Sequence, residues 1–512
     1  MSTLLTGVIP AAGRGTRAWP HTRTIPKAML DVCGKPVMHY TIGTMRDKLG
    51  IREIVVVVGA HGHAIRDYFG SGEAYGVRLQ YVLNEHPERG LAWSVLLSRP
   101  RITTSHFAVM LSDELYLHSN HDALLQAGYE DHDVTLAVRG DSMNKQIRKN
   151  FSIEMRDGHI VHLVEKPKVA HNGLLGCGTY LFGSVFHDTL QKRFDGGVPD
   201  AGDLTGAIND HIAGGGRAQA FPLSGDYVNI NYPEDVNAAR SLVRRERLRT
   251  AKISVVSPCL SPAPLIEDML HQSRALGRVG EFVLVAREET PEFAELARKY
   301  SARLVTVTGA KPQFADYLRC GVEQTSGEII VMTMDDESFD LADIEKLLAY
   351  ITEADLVVGT RTTGNLIQQR SNVNWIARTG NYFLAKLIQW LWIGSGVNIS
   401  DVGCTLRAVW RETYAQIAPD LRCRGAAYLA EMVIAALRRR LWIVEIPINY
   451  CRATEESRIR IENRTLGVFA GIAAMIVSRR FRPPGLTASS RGARTAADRQ
   501  EPDGRSARSA AV

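Results

Sequence analysis

The residues best suited to chemistry stand near the start of the chain. An apolar run, GVIPAA, leads into Gly13-Arg14-Gly15-Thr16-Arg17, and Pro26-Lys27 follows. Glycines let backbone N–H groups approach phosphate oxygens closely, and a helix N-terminus behind them favours negative charge. Arg17 and Lys27 add cations to such a nest. The chemistry implied is the cradling and neutralising of a phosphate chain. Two other phosphate loops compete. Gly13, Gly15 and Ala18 match the dinucleotide fingerprint GxGxxA, but that motif needs an acid about 20 positions on, at the end of the next strand. The next strand-like run ends at Gly59, with no acid there. A Walker A loop needs GK[ST], which is absent. An ordinary strand-to-helix turn accounts for the glycines but not for Pro26-Lys27.

Such a loop needs a frame. Apolar runs at residues 4–10 (LLTGVIP), 53–59 (EIVVVVG) and 106–111 (HFAVML) read as strands, with helical stretches at 37–49 and 64–69 between them. Fully apolar strands alternating with amphipathic helices point to a mostly parallel sheet covered on both faces. A second series opens at 253–257 (ISVVS) and continues through 281–285 and 328–334. The predicted fold class is α/β, with two Rossmann-like, mostly parallel α/β/α domains. The expected divisions are 1–240, a charged linker helix at 241–252 with no sustained apolar face, 253–482, and a tail at 483–512. That tail is rich in Arg, Ala, Ser, Gly and Pro. It cannot bury enough surface to offset chain entropy, so disorder is expected.

Composition narrows the classes. With 512 residues, 45% hydrophobic and 23% charged, the chain reads as a soluble protein of two or three domains. The net charge of +6 is small, and much of it falls after Arg479, so no nucleic-acid face is expected. Seven scattered cysteines lack CxxC spacing, which indicates reduced thiols and a cytoplasmic protein without a zinc site. The N-terminus lacks a basic region followed by a long apolar run, so no secretory signal is expected. Residues 387–393 and 466–477 fall short of the roughly 20 apolar residues that span a bilayer. A surface-lying helix near 465–480 leaves room only for weak peripheral membrane contact.

The first half resembles the sugar-1-phosphate nucleotidylyltransferases. GxGTR followed by PK is their opening motif, and VIPAAGRGTRAWPHTRTIPKAMLDVCGKP is most similar to the bacterial UTP–glucose-1-phosphate uridylyltransferase branch. The resemblance runs in order through residues 4–240. Arg89-Gly90-Leu91-Ala92-Trp93-Ser94 resembles a segment near the base and sugar, and FAVMLSDELY, VEKP, GCGTYLF, DLTGAIND and YVNINYPED follow. The resemblance implies nucleotide contacts at Ala12, Gly13, Gly15, Thr16 and Gly90. It implies substrate contacts at Glu165, Lys166 and Gly178, charge stabilisation by Arg17, Lys27 and Lys166, and Mg2+ held by Asp113 and Asn229. Asn229 stands where the family usually has a second aspartate, and Trp93 replaces a smaller or polar residue. The implied reaction is in-line displacement at the nucleotide α-phosphorus, which needs positioning and charge neutralisation more than a general base. The partners are then a nucleoside triphosphate and a sugar-like 1-phosphate, with a second copy of the chain left open.

Residues 253–460 resemble family-2 glycosyltransferases of the polyprenyl-phosphate type. ISVVSP, EIIVMTMDDES, DVGCTLR and EIPINYCR carry the likeness. It implies metal–nucleotide contacts at Asp335 and Glu337 and further site residues at Asp401 and Arg407. Ser261, Pro262, Ala286 and Arg287 stand where that family places amide and acidic residues. Two readings stay open: a bifunctional enzyme that also transfers the activated sugar, or a second half that has lost catalysis.

Overall fold

The strand Glu53–Val58 is apolar from Ile54 to Val58 because those residues serve two cores at once. In the computed structural model Ile54, Val56 and Val58 join one buried cluster with Ile9 and Met38, while Val55 and Val57 join another with Val8 and Val109. Alternate side chains of a strand point to opposite faces, so a sheet covered on both sides needs apolar residues at every position. Each buried valine contributes about 1.5–3 kcal/mol. The structure describes residues 5–13, 15, 22, 25–140, 143–169, 172–335, 338–362, 375–450 and 466–481. It divides into two units, Met1–Val243 and Arg244–Val512. The predicted tail and its expected disorder lie outside the described residues.

In the first unit, Thr6–Ala11 pairs in parallel with Glu53–Val58 and with His106–Met110, and Glu53–Val58 pairs in parallel with Arg78–Leu83. The rest of the sheet departs from the expected parallel arrangement. Leu175–Gly183 runs antiparallel to His106–Met110, to Val134–Arg139 and to Phe151–Arg156. Phe151–Arg156 and His159–Glu165 form a hairpin. Its two-residue turn is Asp157-Gly158, with φ of +51° and +82°. Positive φ at both positions is what a type I′ turn requires, and Asp-Gly supplies it at low cost. Ala218–Pro222 restores a parallel pairing on Val134–Arg139. A separate two-stranded ladder joins Glu114–Leu117 to Asp226–Asn229, with Glu114 opposite Asn229.

The second unit has a seven-stranded sheet in the order Arg303–Thr306, Val279–Ala286, Ile253–Pro258, Ile329–Met332, Arg407–Trp410, Leu356–Thr360, Ile443–Pro447. Only Arg407–Trp410 runs antiparallel to its neighbours. Helix Pro233–Thr250 covers most of the expected linker. Arg244 is buried in an ion pair with Asp355, and Arg247 bonds Glu328 and Glu412 while lying over the Trp410 ring. Its charges are matched by partners, which a search for an apolar stripe does not register. No helix among the described residues is long and apolar enough to cross a membrane. The six cysteines described are free thiols.

Candidate active site

Strand Thr6–Ala11 delivers the glycine loop to the mouth of a cavity of about 380 Å3, lined by Ala12, Gly13, Gly15 and Lys27 among others. A Cβ on Gly13 would meet nothing within 4 Å, so its bareness leaves backbone accessible from the cavity. Gly15 has φ of +59°, and its carbonyl accepts from Thr22 Oγ1 at 2.6 Å. Gly59 presses on the same loop: a Cβ there would lie 2.8 Å from the Ala12 carbonyl oxygen. The dinucleotide reading required an acid at that strand end, and no side chain fits. Arg14, Thr16 and Arg17 lie outside the described residues.

Lys27 opens a short 3-10 turn after Pro26. Its Nζ donates to Asp113 Oδ2 at 2.5 Å and to Asn231 Oδ1 at 3.1 Å. Asn231 Nδ2 donates to Asn229 Oδ1 at 3.0 Å. Asp113, Lys27, Asn231 and Asn229 thus form one hydrogen-bonded chain. The sequence reading named three of the four and missed Asn231, which sits two residues beyond Asn229 and so projects from the same extended segment.

Glu114 was also missed. It is buried, at 2% exposure, beside Asp113. It accepts from Gly178 N at 2.8 Å, from Tyr227 OH at 2.8 Å and from Tyr116 OH. Burial, with the Asp113 charge second, pushes its carboxyl up to about 7. Gly178 is required there, because a Cβ would lie 2.7 Å from Glu114 Oε2 and 2.6 Å from Leu111. The signal was present as an acid next to the proposed metal ligand, with two tyrosines on the paired strands.

A second cavity, of about 940 Å3, adjoins the first. Both are lined by Gly90, Leu91, Leu111, Asp113 and Asn231. The larger also holds Glu165 and Lys166, at the end of strand His159–Glu165, with Lys149, Gly178 and Asn229. Lys166 Nζ pairs with Glu165. Gly90 has φ of +89°, and a Cβ on it would lie 2.6 Å from the Gly202 carbonyl oxygen. Trp93 lines neither cavity. It packs edge-on against Phe194 at 5.0 Å and lies under the Arg89 guanidinium at 3.5 Å, so it backs two residues of the wall.

Residues 6–245 match the sequence profile described as nucleotidyl transferase. The N-terminal half carries a nucleotidyl transferase domain. Its relatives are sugar-1-phosphate nucleotidyltransferases. The low-salt glycan biosynthesis nucleotidyltransferase Agl11 of Haloferax volcanii is 25% identical over 47% of this chain and 66% of its own. The UTP–glucose-1-phosphate uridylyltransferase AglF of the same organism is 28% identical over 47% of this chain and 96% of its own. A glucose-1-phosphate thymidylyltransferase of Xanthomonas campestris is 26% identical over 48% of this chain and 83% of its own.

Outside the nucleotidyl transferase domain, the expected second site looks different in structure. Asp335 is fully buried, and its Oδ2 accepts from the backbone N–H groups of Leu260, at 2.5 Å, and Ser261, at 2.6 Å. Asp401 is clamped by Arg361 at 2.7 and 2.9 Å. Arg407 is 0% exposed and donates to the carbonyls of Cys404 and Leu429. Asp335 and Arg407 bind backbone, and Asp401 is held by the Arg361 side chain. Arg407 is not brought to a cavity, because a guanidinium surrounded by carbonyl oxygens is satisfied where it lies. Glu337 lies outside the described residues.

Proposed function

We propose that the nucleotidyl transferase domain couples a sugar 1-phosphate, or a sugar-like cyclitol phosphate, to a nucleotide from UTP, GTP or dTTP. A phosphate oxygen attacks the α-phosphorus, and pyrophosphate leaves. Uridine with glucose is the first pair to try, since AglF bears that name. The observation that carries the reading is the pair of adjoining cavities that meet at Asp113 and Asn231. One ends in bare glycine backbone and Lys27, the other in Lys166. Two phosphates approaching from opposite ends would meet at that shared wall, and holding them in line is most of the catalytic task.

Each group has a task its chemistry suits. Gly13 and Gly15 offer backbone N–H groups to the triphosphate. An ammonium has three donors, and Lys27 uses two on Asp113 and Asn231, leaving one for an anion. Lys166 faces the sugar phosphate. The donor set also suits a hard divalent cation: one carboxylate and two amide oxygens surround a site where the Lys27 ammonium already rests against Asp113 and Asn231. Asp113, Asn229 and Asn231 would hold Mg2+, which when bound spreads the charge of the transferring phosphates.

The alternative adds sugar transfer by the second unit. We assign no transfer to it, because Asp335 is committed to the Leu260 and Ser261 amides and Asp401 to Arg361. A panel of nucleoside triphosphates against sugar and cyclitol phosphates, scored by pyrophosphate release with Mg2+, tests the proposal. Release with one pair supports it, and no release with any pair defeats it.

A further inference from the structure

Glu114 and Asn229 face each other across the ladder that joins Glu114–Leu117 to Asp226–Asn229. Three donors already converge on the Glu114 carboxylate: a backbone N–H and two phenols. The group opposite completes the set by presenting its own N–H. Asn229 does so, with Nδ2 at 3.3 Å from Glu114 Oε1 and 2.6 Å from Asn150 Oδ1. Its oxygen is thereby turned the other way, toward Asn231. A carboxylate at 229 would set a second negative charge directly opposite the buried Glu114 on a half-buried strand, which is destabilising.

We propose that Glu114 and Asn229 are a matched pair: Glu114 is a positioning residue that fixes the Asn229 amide with its oxygen toward Asn231, and its presence is why position 229 carries an amide. This deepens the reading above, on which the Asn229 oxygen would be one of the groups that hold Mg2+. Glu114 borders the same cavity as Asn229, but its carboxylate is taken up by Gly178, Tyr227 and Tyr116, so it acts through Asn229. The pairing also explains how the site keeps an oxygen donor at 229 without a second carboxylate. An amide needs orienting, since only one of its two ends accepts. A carboxylate accepts at both ends and needs no such partner.

The test is a double-mutant cycle on the full chain: wild type, Glu114→Gln, Asn229→Asp, and both together. Thermal melting is measured without metal at about pH 8.5, and Mn2+ binding from the signal of free Mn2+ in solution. Asn229→Asp alone should lower Tm by about 5 °C or more, as a loss of a few kcal/mol does in a domain of this size. Adding Glu114→Gln should restore most of it, because the glutamine N–H then faces the new carboxylate. Glu114→Gln alone should weaken Mn2+ about 10-fold, because the Asn229 amide is released to turn. The double variant should recover wild-type affinity. Additive losses in the melting cycle overturn the pairing. Failure of both Asn229→Asp and the double variant to fold overturns it equally. Folding of the double variant where Asn229→Asp fails supports it. Absence of Mn2+ binding in all four proteins counts against the metal reading alone, and the melts still decide the pair.

Discussion

Gly202 and Arg89 meet backbone to backbone: a Cβ on Gly202 would lie 2.0 Å from the Arg89 carbonyl oxygen. The adjacent Ala92 N–H donates to the Gly202 carbonyl at 3.0 Å. This contact closes one wall of the larger cavity. Gly202→Ala should therefore push the Arg89–Leu91 turn into the substrate space. The expected result is a stability loss of about 2 kcal/mol or more, with KM for the sugar phosphate raised more than KM for the nucleotide. Unchanged denaturation midpoints would show that the wall yields freely.

Asp113→Ala removes the carboxylate that anchors Lys27 and, on the proposed function, the metal. Pyrophosphate release should be abolished. Lys27→Ala and Arg17→Ala should each slow turnover by about 10²-fold or more, the usual loss for one charge-stabilising donor. Steady-state rates at saturating Mg2+ check this, and a near-normal Asp113→Ala enzyme would defeat the assignment.

Residues 1–245 should release pyrophosphate alone, because every lining residue of both cavities lies before residue 232. A truncated domain that folds, by circular dichroism, yet reacts only when the full chain is supplied would place part of the site elsewhere.

Two buried histidines contribute to the acid limb of stability. His121 lies between Ser119 Oγ at 2.7 Å and Thr179 Oγ1 at 3.1 Å, and His187 stacks on Phe107 at 4.5 Å. Burial pushes each down to about 4. The folded protein keeps them neutral where the unfolded chain takes up protons below about pH 6.5. Their contribution is complete above that value and is lost as pH falls toward 4, at about 1.4 kcal/mol per unit for each. Glu114 works in the opposite sense between about pH 4.5 and 7, where the unfolded chain ionises first. The urea midpoint should drop between about pH 7.5 and pH 5, and the drop should shrink in His121→Asn. Equal drops in the two proteins would remove His121 as a cause.

Asp335→Ala should cost stability rather than transfer. It frees the N–H groups of Leu260, half-buried, and Ser261, buried, and a buried group left unsatisfied costs about 1–3 kcal/mol. Supplying labelled nucleotide sugar with polyprenyl phosphate checks the other side. Transfer by the wild type that disappears in Asp335→Ala would show an active second site.

The parallel core was legible because its physics is local: a run apolar at every position has to be covered twice, and residues 54–58 say so. The antiparallel half was legible in part and went unread. Asp157-Gly158 between two alternating stretches is a strong hairpin signal, yet the helix–strand rhythm of the first hundred residues was extended across it. Asn231 and Glu114 were hidden for another reason. Their neighbours in the chain are site residues too, and only the pairing of Glu114 with Asn229 shows which side chains share a space. Arg407 was named on the resemblance of DVGCTLR to family-2 glycosyltransferases, which carries no information on burial; in the structure its donors go to carbonyls of its own fold.

The division of Glu53–Val58 between two cores has a consequence for mutation. The strand stores its alignment as parity: odd residues answer to one cluster, even residues to the other. Exchange of one aliphatic residue for another keeps the parity, but a single insertion or deletion reverses it for every residue downstream at once. It would also carry a residue with a side chain into the place of Gly59, against the Ala12 carbonyl, where a Cβ has no room. The glycine-loop mouth is therefore guarded against frame errors in a strand that lines neither cavity, and length variation at this locus should be rarer than residue variation.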